Sequence, residues 1–268
     1  MERIIVRYYK KACAGVALVI FCLSAMQIQA EENINIAVGE FPPYCTERFE
    51  SGGPLLQLVS EAYAAAGVKV NFGFFPWLRA YEYAKDGKDH RGKVWHGTIP
   101  WNYSTERAED FKFSDNLIYD YVVFFYLKSK PFKWESIDDL KGRNVGLAVE
   151  SYYPLIANAA EDKLLTTERV GNYDRLLNRL KHERVDVIPI SKRVGLYYMN
   201  NELDRSTKNS ISFAQKHFEI RYFHLLISRN VQESDHLLDK FNQGLRMIKH
   251  SGRYGEIVSS LNQYTQEK

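Results

Sequence analysis

Val68-Lys69-Val70-Asn71-Phe72-Gly73-Phe74-Phe75-Pro76-Trp77-Leu78-Arg79-Ala80 reads as a strand running straight into a helix. Val68, Val70, Phe72 and Phe74 alternate with Lys69, Asn71 and Gly73. That period of two marks a half-buried strand. Pro76 then opens a helix that continues through Ala84, because proline tolerates the first turn, where no backbone donor is needed. Upstream, Gly53-Pro54 opens another helix with Leu55, Leu56, Val59, Ala62, Tyr63 and Ala66 on one face, ended by Gly67. Before it, Ile34-Asn35-Ile36-Ala37-Val38 is a first strand. The order β-α-β-α predicts a mainly parallel sheet covered by helices.

A second unit of the same kind begins after Lys128. Ser136-Ile137-Asp138-Asp139 forms a capping box for a short helix stopped by Gly142. Val145–Val149 is a buried strand, and Glu150-Ser151-Tyr152-Tyr153-Pro154 leads from it into a helix. Leu176, Leu177 and Leu180 mark a further amphipathic helix; Val185–Ile190 is the next strand, with Ser191 at a helix start. Two apolar runs, Leu117–Leu127 and Phe218–Ile227, bracket this unit. Taken singly, each reads as an ordinary core strand. Their placement on either side of an α/β unit predicts two strands that cross between two lobes. The closing helices, with Leu237, Leu238, Phe241, Leu245 and Ile248, then return to the first lobe. No internal repeat or low-complexity linker interrupts the chain.

The first thirty residues read as an export signal rather than as fold. Arg3, Arg7, Lys10 and Lys11 precede an apolar run, Ala12 to Met26, shorter than the ~20 residues a spanning helix needs. Ala30 suits a cleavage site, although Ile28 is bulky for the position two residues before it. Cys13 and Cys22 lack the small-residue surroundings of a lipoprotein signal. The expected product is therefore soluble and periplasmic. The full chain has 36 Lys+Arg and 33 Asp+Glu. Removing four basic residues and one acidic residue with the signal leaves 32 of each, so the basic excess is no argument for a nucleic-acid partner. Cys45 alone remains, and one thiol makes no internal disulfide.

Ligands of open α/β sheets bind beyond the carboxyl ends of the strands. Four loops qualify, residues 40–45, 75–79, 98–107 and 149–153, together with Ser191. The first carries Phe41-Pro42-Pro43-Tyr44; the second, Phe75-Pro76-Trp77-Leu78-Arg79-Ala80; the third ends in Ser104-Thr105-Glu106-Arg107, with Phe113-Ser114-Asp115 five residues further on. A loop arginine ordinarily pairs with a neighbouring acid, here Glu106 or Asp110. A guanidinium can equally clamp a carboxylate with two parallel donors. Phe41 and Trp77 offer apolar faces, and with Tyr44, Arg79 and Trp101 complete the first-lobe candidates. No cofactor or metal is expected: the histidines at 90, 96, 182, 217, 224, 236 and 250 show no ligand spacing, and no phosphate loop or nucleophile elbow is present. Cys45 has no partner base that would make it a nucleophile.

In order and spacing these motifs resemble the bacterial extracellular solute-binding proteins of family 3, the group that includes polar amino-acid binders. The resemblance covers nearly all of the chain after residue 30. It implies the α/β fold of the type II periplasmic binding proteins, two lobes with two strand crossovers: residues 31–120 and 223–268 forming one lobe, 121–222 the other. It places Arg107 on a ligand carboxylate and Phe41 and Trp77 on either side of the ligand. Ser151 and Tyr152 would supply a hydroxyl and backbone N–H groups from the second lobe. The family's ammonium-binding Asp falls on Ser191, and its glycine before the second-lobe turn falls on Glu150; Glu40 or Glu150 would have to replace the missing acid. The implied function is a monomeric, non-enzymatic binder of a small polar solute, with an inner-membrane ABC permease as partner. The alternatives are an enzyme similar to the periplasmic cyclohexadienyl dehydratases, with Glu150 as the acid, and a solute-sensing module for a membrane protein.

Overall fold

The computed structural model describes residues 32–149 and 151–265. The signal-peptide expectation, and every expectation resting on Glu150, therefore lies outside the described residues. The first strand, β1 (Glu32–Val38), buries Ile34, Ile36, Ala37 and Val38. Helix α1 (Pro54–Ala65) starts at the proline. Gly53 before it has φ 105°, and a Cβ there would stand 2.5 Å from the carbonyl oxygen of Tyr44, so both backbone angle and space require glycine. The α1 stripe of Leu55, Leu56, Leu58, Val59, Ala62 and Tyr63 is fully buried, and each large aliphatic chain in it stabilises the fold by about 1.5–3 kcal/mol. Next come β2 (Val68–Phe74), α2 (Trp77–Asp86), β3 (Gly97–Trp101), α3 (Thr105–Asp110) and β4 (Phe111–Phe113).

β1 runs parallel to β3, with Ile36 opposite Gly97, and β2 flanks β1. The ten-residue strand β5 (Ile118–Leu127) then carries the chain into a second parallel unit: β6 (Asn144–Ala148), α4 (Pro154–Glu161), β7 (Thr166–Val170), α5 (Tyr173–Lys181), β8 (Val187–Ser191) and α6 (Lys192–Asn201). There β6 pairs in parallel with both β7 and β8, while β5 lies antiparallel to β8. After α7 (Arg205–Ser210) and β9 (Ile211–Phe213), the second ten-residue strand, β10 (Glu219–Ser228), returns the chain to the first sheet. Helices α8 (Ser234–His250), α9 (Arg253–Ser260) and α10 (Asn262–Thr265) follow. Phe241 of α8 packs on Tyr63 of α1 with ring centroids 5.0 Å apart.

The two long strands pair with each other and so join the two sheets. Glu219–Phe223 pair antiparallel with Val122–Ile118, whereas Leu226 and Ile227 pair with β3 and β4. Val122 faces Glu219 and Ser191 at once, so it belongs to both ladders. The expected crossover is thus two strands bonded to each other, not two separate linkers. A short helix followed by a three-residue strand occurs twice: α3–β4 against β10, and α7–β9 against β5. The two copies have unrelated sequences. Two expected boundaries shift. The strand drawn to Val149 ends at Ala148 and leaves Val149 exposed, and the strand drawn from Val185 starts at Val187.

Candidate functional site

Where the two sheets meet, a cleft partly open to solvent is lined from both. Phe41, Trp77, Trp101 and Arg107 come from the first, and Ser151 and Ser191 from the second.

Its first wall is aromatic and braced from behind. Trp77 stands edge-on to Trp101 at 5.3 Å and to Phe41 at 6.2 Å, and its Nε1 donates to the Glu40 carbonyl at 3.1 Å. The indole lies against Gly39, where a Cβ would come within 2.4 Å of the ring. Only glycine lets the ring lie that close to the backbone. Trp101 Nε1 donates to Thr98 Oγ1 at 3.0 Å, which fixes that ring too.

Arg107 sits on this wall. Ser104 caps α3 by accepting from the Arg107 backbone N–H at 3.1 Å, the ordinary role of a serine at that position. One turn into the helix, the Arg107 side chain folds back over the Trp101 ring, its guanidinium carbon 4.8 Å from the centroid. Nη1 donates to the Asn102 carbonyl at 3.2 Å and to Asn102 Oδ1 at 3.3 Å. Among the described residues no carboxylate pairs with it; Glu106 and Asp110 do not take the role of ion-pair partner. Burial pulls its pKa below the usual arginine value, helped by repulsion from Arg221. An arginine remains charged at neutral pH even so.

The second wall is held by the fold as well. Arg169 Nη1 donates to the carbonyls of Val149 at 3.1 Å and Ser151 at 2.9 Å, pinning the loop after β6. The Ser151 N–H is used within that loop, donating to the Ala148 carbonyl at 3.0 Å. Ser151 therefore offers the cleft its hydroxyl, not the backbone donor expected. Tyr153 Oη donates to the Pro189 carbonyl at 3.0 Å, and burial raises the phenol's pKa.

Three expected residues do not line the cleft. Tyr44 is fully buried beneath it: its ring stacks under Phe41 at 5.4 Å and its hydroxyl donates to Asp120 Oδ2 at 2.6 Å. The Pro42-Pro43 turn directs Phe41 upwards and Tyr44 into the core. Arg79 is exposed on the outer side of α2. Tyr152 is 62% exposed, and its neighbour Tyr153 takes the inward place. Glu40, one replacement acid considered, accepts from the Glu47 N–H at 2.9 Å and is not on the lining.

Sequence reasoning also missed Tyr173, Arg221 and Phe223 on the lining. Tyr173 follows β7, whose Thr-Thr-Glu-Arg-Val gives no alternating apolar signal. Arg221 and Phe223 belong to β10, which was read as uniformly apolar. The signal was present in Glu219 and Arg221, two charges on one face of that strand. Arg221 Nε and Nη2 meet Glu219 Oε1 at 2.8 and 2.7 Å, and its guanidinium lies 4.6 Å from the Tyr153 ring centre.

No protein-family model matches the chain, and no curated protein matches it in sequence. Solved structures do match. A histidine kinase sensor domain with similarity to periplasmic binding proteins aligns with TM-score 0.71 at 18% identity, over 87% of this chain and 97% of the other. The chain has their two-lobed fold. An amino-acid ABC transporter substrate-binding protein from Streptococcus pneumoniae, bound to L-arginine, gives TM-score 0.69 at 18% identity, covering 90% of this chain and 99% of that one. An ancestral amino-acid-binding protein, a precursor of cyclohexadienyl dehydratase, gives 0.67 at 16%, covering 90% and 98%. Identities this low carry the fold alone. No described helix is long and apolar enough to cross a membrane.

Proposed function

We propose that this chain is a non-enzymatic binding protein that captures a small carboxylate-bearing solute between its lobes. The observation that supports it is Arg107, a partly buried guanidinium on the cleft wall, held by Trp101 and Asn102 and left without an acidic partner among the described residues. A charge kept out of water in this way is stabilised when a carboxylate arrives with two acceptor oxygens. Contacts from both walls would favour the closed arrangement of the lobes, and binding would shift the population towards it. In this reading residues 31–120 and 223–268 form one lobe and 121–222 the other. The protein acts as a monomer in the periplasm after cleavage near Ala30 and delivers its solute to an inner-membrane ABC permease. Phe41, Trp77, Trp101, Arg107, Ser151 and Ser191 hold the ligand.

The test is calorimetry of the purified protein against a panel of small carboxylates. Arg107→Ala should lower affinity by ~2–5 kcal/mol, the range for removing one partner of a buried charged pair. Arg107→Lys should not restore it, because an ammonium has no planar fork. Equal binding of a carboxylate by wild type and Arg107→Ala would end the proposal. The dehydratase-like alternative needs a cleft acid; its candidate, Glu150, lies outside the described residues, and no described acid lines the cleft.

A further inference from the structure

We infer that the cleft selects an organic anion that carries no ammonium group, with Arg221 setting that preference; this rests on the carboxylate-binding reading above. The charged side chains on the described lining are Arg107 and Arg221, both cationic. They come from different elements, α3 and β10, and line the same cleft, where repulsion from Arg221 helps lower the pKa of Arg107. Arg221 is well enclosed, its side chain 13% exposed. Besides its bonds to Glu219, Nη2 donates to the Tyr152 carbonyl at 3.3 Å. Glu219 offsets part of this charge from behind Arg221, not from the lining.

An ammonium brings three donors and no acceptor, so it needs a negative or strongly polar surround. The polar groups on the described lining besides the guanidiniums are neutral, chiefly Asn102, Ser151, Ser191 and tyrosine hydroxyls. Aromatic faces could receive a cation. Here Arg107 already covers Trp101 and Arg221 covers Tyr153, so a cation on the remaining rings, Phe41, Trp77, Tyr173 and Phe223, would share the cleft with two like charges. A zwitterionic amino acid would gain at its carboxylate and lose at its ammonium, which would be desolvated beside two like charges. A ligand with the same carbon skeleton and no amine keeps the gain and avoids the loss. Phe41, Trp77 and Phe223 suit a flat or apolar body for that ligand.

The experiment is calorimetry of the purified protein with matched pairs: 3-phenylpropionate against L-phenylalanine, and glutarate against L-glutamate. The amine-free member should bind about tenfold or more tightly, since like charges at close range differ by at least that much. Arg221→Gln should narrow or reverse the ratio, because Glu219 is then released to receive an ammonium. Glu219→Gln, which leaves both guanidiniums in place, should widen it, and covers the case in which Arg221→Gln does not fold. An amino acid binding as tightly as its amine-free partner, with binding still lost in Arg107→Ala, overturns this inference and leaves the carboxylate clamp standing. Binding of neutral solutes alone, or of no member of either pair, overturns both.

Discussion

Arg107 and Arg193 are both partly buried arginines, and the fold treats them in opposite ways. Arg193, on α6, donates through Nη1 to the Tyr119 carbonyl at 3.1 Å and lies 3.5 Å from Asp120 Oδ1. That carboxylate is almost wholly enclosed, and it also accepts from the Tyr121 N–H at 2.8 Å and from Tyr44 Oη at 2.6 Å. The helix after β8, the strand β5 and the loop after β1 converge on one acid. Arg107 meets only neutral oxygens and an indole face. The contrast separates a charge committed to the architecture from one kept available for something that is not protein.

The largest expected effect breaks the committed network. Asp120→Ala should lower unfolding free energy by about 3–5 kcal/mol in urea titrations, because it strands Arg193 and Tyr44. Arg107→Ala should change that stability by under ~1 kcal/mol despite its large effect on binding; a loss as large as that of Asp120→Ala would erase the distinction. Tyr44→Phe sharpens it. Removing one buried hydroxyl that donates to a charged group should cost about 1.5–3 kcal/mol, with ligand affinity little changed, since Tyr44 lies beneath the cleft. The smallest effect is in pH. Burial raises the Asp120 pKa, against the pull of Tyr44 and Arg193. The folded protein then holds this proton to higher pH than the unfolded chain does, so stability falls as pH rises from the ordinary Asp value of about 3.9 through the raised one. Denaturation midpoints of Asp120→Asn should lack that decline, and a parallel decline in the variant would assign it to other groups.

Much of the fold was legible because local chemistry and tertiary role agree. Pro54 opens α1, Ser136 caps its short helix, and β2 alternates as a half-buried strand should. What was not legible depended on distant partners. β4 and β9 are three residues long and exist because the crossover strands offer them an edge. In the site, loop position together with the family resemblance pointed to Phe41, Trp77, Trp101, Arg107, Ser151 and Ser191, which line one cleft. Which of two adjacent tyrosines faces inward was not, because a turn decides between Tyr152 and Tyr153. Tyr44 was misplaced for a related reason: its hydroxyl finds an acid 76 positions along the chain. Arg221 was concealed by the apolar residues on either side of it, although Ile220 and Tyr222 are exposed in the fold.

The ladder joining β5 to β10 has a mechanical consequence. Two lobes tied by loose segments could swivel about either one. Here β5 belongs to the second sheet while β10 pairs with strands of both, and five successive residue pairs bond the two together. Relative rotation of the lobes must therefore be taken up as torsion along a hydrogen-bonded ribbon; just beyond its end, between His224 and Leu226, the pairing of β10 with β3 is irregular and bends the strand. Arg221 lies directly across this ribbon from Asp120. A ligand contact at Arg221 is thus one cross-strand pair away from the buried acid, so the cleft and the core network share a rung of the same ladder.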